Sequence, residues 1–91
     1  MTVVPDWVCE ILSPSTARYD RLVKMDTFAR LGVRWAWLID PAAELLEVYR
    51  LRDGLWTRFQ AGGPGHVLTL APFDVEIDLR SWFAPTHKPG V

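Results

Sequence analysis

Apolar residues crowd the start of the chain, where Val3, Val4, Trp7, Val8, Cys9, Ile11 and Leu12 are interrupted only by Pro5, Asp6 and Glu10. A near-continuous apolar run is the signature of a strand covered on both faces, so this stretch is expected to be a central β-strand. On the two-residue period of a strand, Val4, Asp6, Val8, Glu10 and Leu12 share one face, and Val3, Trp7, Cys9 and Ile11 share the other. Both carboxylates therefore point the same way. Ser13-Pro14-Ser15-Thr16 ends the run, because Pro14 cannot donate to a ladder while the hydroxyl of Ser15 or Thr16 can cap a helix.

From Ala17 to Leu31 the period lengthens, and Leu22, Met25, Phe28 and Ala29 fall in one arc at ~100° per residue, as in an amphipathic helix. Gly32 is placed to be its C′ residue. Arg34 to Asp40 then reads as a second strand closed by Pro41, and strand, helix, strand in this order implies a right-handed parallel crossover. Leu45 to Arg52 and Leu55 to Gln60 flank Asp53-Gly54, the signal for a two-residue type I′ hairpin that would pair Leu51 with Trp56, Tyr49 with Arg58 and Val48 with Phe59. After the loop Gly62-Gly63-Pro64-Gly65, His66 to Leu70 and Val75 to Leu79 read as two short strands, and Leu79 to Phe83 as one helical turn. The expected architecture is mixed α/β: a strand-helix-strand crossover followed by an antiparallel meander over residues 1–83, with a flexible tail at 84–91.

Composition narrows the class. Ninety-one residues, 49% of them hydrophobic, allow one domain. A chain of this size hides roughly 60 to 65% of the surface its unfolded form exposes, enough for a single small core. Five Trp and four Phe must go into it, which excludes a disordered tail, a collagen-like repeat or a low-complexity linker. The lone Cys9 excludes a disulfide scaffold and suggests a reducing compartment. The uncharged stretch Ala61 to Phe73 is broken by Gly and Pro and is shorter than the ~18 apolar residues of a membrane span. With Asp6 and Glu10 too early for a signal peptide, the expectation is a cytoplasmic protein without membrane attachment. Net charge is −1, so the molecule as a whole is not a basic body of the kind that coats nucleic acid. Locally the picture differs, since Arg18, Arg21, Lys24, Arg30 and Arg34 outweigh Asp20 and Asp26 in residues 17–34, a charge of +3. Such a run is either a solvated helix face or an electrostatic footprint for a phosphate backbone, with Arg18 and Arg21 as its candidate contacts.

Glu10 is the most informative position. An ionised carboxylate between Cys9 and Ile11 costs several kcal/mol to bury unless a cation or a metal compensates it. Lys24 can supply the cation: Glu10 lies about 7 Å from the strand end, and Lys24 about 12 Å into a helix that runs back over the sheet. If that pair is buried, Glu10→Ala is expected to cost on the order of 3 to 5 kcal/mol. A Glu and a Lys at the end of a buried strand suit metal-assisted phosphodiester hydrolysis, the carboxylate holding Mg²⁺ and the lysine positioning water or stabilising charge. They also suit a purely structural ion pair.

Taken in order, Pro5 to Thr16, Asp20-Arg21, Lys24, Gly32-Val33, Trp37 to Pro41 and Val48-Tyr49 resemble the C-terminal half of the Uma-two family of putative restriction endonucleases, in the PD-(D/E)XK superfamily. The resemblance covers about residues 3–83. It implies a restriction-endonuclease-like core fragment, Mg²⁺ as cofactor and DNA as substrate. Glu10 takes the place of the acid of the (D/E)XK motif, and Lys24 matches a lysine that this family carries on the following helix. Full-length members resemble this chain only after an N-terminal half with an acidic helix residue and a strand bearing the metal-binding Asp. Without that half, activity in this chain alone is expected to be weak or absent, and the alternative is a non-catalytic, homodimeric interaction protein that retains the nuclease core. Asp6 cannot stand in within one copy, because four strand residues place it about 13 Å from Glu10, whereas ligands of one Mg²⁺ lie ~2.1 Å from the ion.

The other chemistry-bearing residues have simpler readings. His66 and His87 lack a second ligand at zinc spacing. Cys9 is expected to be an inert core thiol with a raised pKa. The hydroxyls of Ser13, Ser15 and Thr16 have no His beside them and read as caps, and the Gly-rich loop lacks the Lys-Ser or Lys-Thr of a phosphate loop. Trp35 and Trp37 are expected in the core rather than stacked on bases.

Overall fold

The computed structural model describes residues 3–13 and 17–83, with the backbone alone for residues 17–20. Its elements follow the order β1 (Trp7–Ile11), α1 (Ala17–Leu31), β2 (Trp35–Asp40), β3 (Leu45–Arg52), β4 (Leu55–Gly62), β5 (Val67–Leu70), β6 (Val75–Asp78) and α2 (Arg80–Phe83). The mixed α/β architecture is the one the periodicities give. The Ser15 and Thr16 caps and the tail 84–91 lie outside the described residues.

β1 and β2 run parallel, with Trp7 opposite Trp35 and Ile11 opposite Ile39. β3 and β4 complete a four-stranded sheet in the order β1-β2-β3-β4. The crossover helix stops where the sequence places its C′ residue. Gly32 takes φ +82°, its N–H donates to the Ala29 carbonyl at 3.1 Å, and the Val33 N–H donates to Phe28 at 3.1 Å. That pair of bonds is a Schellman cap. Val33, completely buried, anchors it.

Asp53 and Gly54 both have positive φ, 53° and 77°, as a type I′ turn requires. Leu51 faces Trp56 and Tyr49 faces Arg58 as expected, but a bulge between Val48 and Tyr49 shifts the register, so that Val48 faces Gln60 rather than Phe59. The extra residue carries β4 on to Gly62, into the segment read as loop.

The sheet is covered differently on its two faces. On one, Trp37, Leu46 and Val48 pack with Leu70 and Leu79, with Trp7, Trp82 and Phe83 around them. β5 and β6 pair with each other as a separate two-stranded sheet and, with α2, cover this face, so the meander ends at β4. Trp37 Nε1 donates to the Ala71 carbonyl at 2.8 Å. Gln60 donates to the Thr69 carbonyl at 2.6 Å and accepts from the Ala71 N–H at 3.0 Å, fastening the two sheets together. On the other face, Met25 of α1 packs on Ala36 and Leu38, with Val8, Phe28, Tyr49 and Trp56 at the margins. Leu22, placed by periodicity in the same arc, is 69% exposed.

Two expectations are corrected. β1 is an edge strand among the described residues, not a central one, and its apolar pattern is left half uncovered: Ile11 is 68% exposed and Cys9 is exposed rather than in the core. Trp35 is only half buried, lying edge-on to Phe59 with the Arg50 guanidinium 5.6 Å from its ring centroid, while Trp37 is a true core residue.

Candidate active site

The alternation along β1 holds in three dimensions. Val8, Glu10 and Leu12 face α1, and Trp7 faces the opposite layer. Glu10 lies opposite Leu38. α1 carries Lys24 to it, with Nζ 3.3 Å from Glu10 Oε2. The sequence thus brings its two main candidates together. Their surroundings are wetter than burial arithmetic suggested, since the side chains are 46% and 25% exposed. Among the described residues β1 is an edge of the sheet, with no strand beyond it on the side of Glu10.

A second carboxylate stands in the same row, and sequence reasoning missed it. Glu47 lies opposite Leu38 on that residue's other side, so Glu10, Leu38 and Glu47 cross three strands on the helix-facing side. The two acids are about 10 Å apart at the usual strand spacing. Glu47 is buried, and its Oε1 meets Arg21 Nη2 at 3.0 Å while Oε2 meets Arg58 Nη1 at 3.3 Å. Tyr49 OH donates to Oε2 at 3.0 Å and accepts from Arg21 Nη2 at 2.7 Å. Burial raises the Tyr49 phenol, and the Glu47 charge and hydrogen bond raise it further against the opposing pull of Arg21. The signal was present in Leu45-Leu46-Glu47-Val48, an acid inside an apolar run as at Cys9-Glu10-Ile11.

Arg21 is thus turned toward Glu47, with part of its guanidinium still exposed. Arg18 lies in the first turn of α1, where side chains are outside the described residues. Between α1 and the sheet runs a cleft of about 680 Å³, with Leu12, Met25, Leu38 and Trp56 as its floor and walls and Arg21 and Asp40 at its rim. Cys9 lies beside the site with its thiol pushed up, first by burial and then by the Glu10 charge. His66 is used in its turn, its Nδ1 accepting the Gly63 N–H at 3.0 Å.

The donor set of one copy does not fit the Mg²⁺ that the family resemblance implies. Mg²⁺ prefers six oxygen ligands in near-octahedral geometry. Glu10 is committed to Lys24, Glu47 to two arginines, and among the described residues no three acids, histidines or cysteines gather.

A four-stranded mixed sheet with a crossover helix is the architecture of a nuclease-like domain. The chain belongs to the Uma2 family, described as "putative restriction endonuclease", whose model matches residues 1–80. Among solved structures it is similar to one titled a putative nuclease belonging to DUF820 from Anabaena variabilis, with a TM-score of 0.65 and 25% identity. That likeness covers 90% of this chain and 45% of the other, so the chain spans less than half of that protein's length. No curated protein matches it. Among the described residues no helix is long and apolar enough to cross a membrane.

Proposed function

We propose that these residues form the acid-and-lysine portion of a DNA phosphodiester hydrolase, weak or inactive as a single copy. The observation that carries the reading is the 3.3 Å contact between Lys24 and Glu10 at an accessible strand edge. Lys24 places a positive charge where a phosphoryl oxygen gains negative charge, and Glu10 holds that ammonium in place. Glu10 would supply one carboxylate toward a divalent cation, which the described residues of a single copy do not otherwise gather ligands to hold. Arg18 and Arg21, on the same helix, are the proposed contacts to the DNA backbone. They would add affinity without sequence preference.

Incubating the protein with supercoiled plasmid and Mg²⁺ or Mn²⁺ tests this. Slow nicking that disappears in both Glu10→Ala and Lys24→Met is expected. Nicking unchanged in both variants would reject the site. The second reading is the non-catalytic homodimer, favoured by the exposed Ile11 and Cys9 on β1. It predicts self-association with no metal-dependent nicking at any protein concentration.

A further inference from the structure

We propose that Arg21 of α1 and Arg58 of β4 form a two-arginine site for one phosphate of the DNA backbone, positioned by the buried Glu47 and by Tyr49. The inference rests on the nuclease reading for its ligand, and adds to that reading a contact from the sheet, Arg58, and two positioning residues. The site is separate from the pair of Glu10 and Lys24. Glu47 lies on the far side of Leu38 from Glu10, about 10 Å away at the usual strand spacing.

The charge balance at Glu47 motivates it. One cation compensates one buried carboxylate, yet this carboxylate holds two. Its side chain is 8% exposed, with Arg21 Nη2 3.0 Å from Oε1 and Arg58 Nη1 3.3 Å from Oε2. Tyr49 adds no charge, because burial and then the Glu47 charge hold its phenol above the ordinary range. It stays a neutral hydroxyl that donates to Glu47 Oε2 at 3.0 Å and accepts from Arg21 Nη2 at 2.7 Å. Two guanidinium groups against one carboxylate leave the cluster at a net +1. Asp40, the acid that lines the adjacent cleft, is turned to its own loop, where its Oδ1 accepts from the Ala43 N–H at 3.1 Å.

The acid is inside and the surplus cation faces out. The arginine side chains are 43% and 60% exposed. Among the described residues each spends only part of its guanidinium on the cluster, Arg21 through Nη2 and Arg58 through Nη1, which leaves donors for a ligand. An ordinary solvated face holds its cations differently, as Arg30 and Asp26 show with both partners exposed. Here the anchor is buried, so the guanidinium groups are held before a ligand arrives, and their fork geometry matches phosphate oxygens. The bulge in the β3-β4 hairpin makes room for the second arginine. In an unbroken register Gln60 would stand opposite Glu47, whereas the bulge puts the small Ala61 there and keeps Arg58 opposite Tyr49. Oε2 of Glu47 is thereby left to a guanidinium from the next row, in keeping with the way bulges re-aim side chains.

The test is binding of a short fluorescent DNA duplex, read by anisotropy from about 50 to 200 mM salt in EDTA, so that neither metal nor cleavage enters. Wild type is expected to bind. Arg58→Gln should lower the slope of log affinity against log salt by about 0.9, so that wild type loses roughly three to four times more of its affinity over that range than the variant. Arg58→Lys should restore the slope. Arg52→Gln, the same loss of charge at the turn end of the hairpin, should keep the wild-type slope. Glu47→Gln raises the net charge, so bare charge counting gives tighter binding, whereas loss of the anchor gives weaker binding. Tyr49→Phe changes no charge and should weaken binding several-fold, which tests positioning even if Glu47→Gln does not fold by circular dichroism. No binding by wild type, or equal slopes in Arg58→Gln and Arg52→Gln, overturns the site. Tighter binding by folded Glu47→Gln, or wild-type affinity in Tyr49→Phe, overturns the positioning. Plasmid nicking is scored separately: nicking with an unchanged slope in Arg58→Gln keeps the hydrolase and removes this site, and the slope change without nicking does the reverse.

Discussion

Glu10 and Glu47 are both acids set into apolar strands, yet the fold treats them differently. Glu10 sits on the edge strand and its lysine is nearly half exposed, so the pair is well screened. Glu10→Ala is therefore expected to cost under about 1 kcal/mol in urea unfolding, not the 3 to 5 kcal/mol of a buried pair. Glu47, on β3, lies inside the sheet between β2 and β4 and keeps three hydrogen-bonded or ionic partners. Glu47→Ala should cost about 1 to 3 kcal/mol by the same measurement, and an inverted ranking of the two variants would refute this account. Tyr49 adds a pH dependence. Its phenol titrates higher in the folded state than its ordinary value of 10.0. Its stabilisation is thus fully present below that value and is lost as pH rises through the folded pKa. Cys9, raised from 9.0, acts in the same direction and begins earlier. Stability measured from pH 8 to 11 should fall less steeply in Tyr49→Phe than in wild type, and equal slopes would contradict it.

At the level of elements, the cap of α1 controls whether Lys24 arrives at Glu10, because the helix is pinned at its C-terminus by Gly32 and the buried Val33. Gly32→Ala meets no steric neighbour, so its effect isolates the cost of φ +82° for a residue with a Cβ. A loss of about 1 kcal/mol in thermal or urea unfolding is expected. No change would mean that the cap does not hold the helix end. The bulge in the β3-β4 hairpin shows the converse limit. Asp53-Gly54 sets the turn and the nearest pairs, but a register change between Val48 and Tyr49 leaves no mark in the alternation before it occurs.

For the described residues as a whole, β1 is an edge of the sheet, and a proline can probe that edge cleanly. The Cys9 N–H points away from β2, so Cys9→Pro removes an outward donor without breaking a bond inside the sheet. On the homodimer reading, the Cys9→Pro chain should not self-associate and should keep the circular dichroism of a folded chain. Among the described residues a single copy then offers Mg²⁺ Glu10 beside an ammonium and no cluster of further ligands. Binding no tighter than millimolar means that physiological Mg²⁺ raises stability by less than about 0.4 kcal/mol in this variant. A Tm rise of several degrees with 1 mM Mg²⁺ in monomeric Cys9→Pro would show that one copy builds a complete site after all.

The sequence by itself determined the crossover, the helix from Ala17 to Leu31, its Gly32 stop, the type I′ turn and the meeting of Glu10 with Lys24. All of these are local periodicities, turn residues, or distances set by the rise of one strand and one helix. It also determined which face of β1 carries Glu10, since alternation does not depend on what lies across the sheet. Only the tertiary structure decided that β1 is an edge, that Cys9 and Ile11 are uncovered, that β5 and β6 leave the main sheet, and that Glu47 gathers Arg21, Arg58 and Tyr49. The physical reason is common to these. An apolar strand pattern records the burial a segment is suited to but not which neighbours provide it, and charge partners far apart in the chain meet only when strand order and register place them on one row.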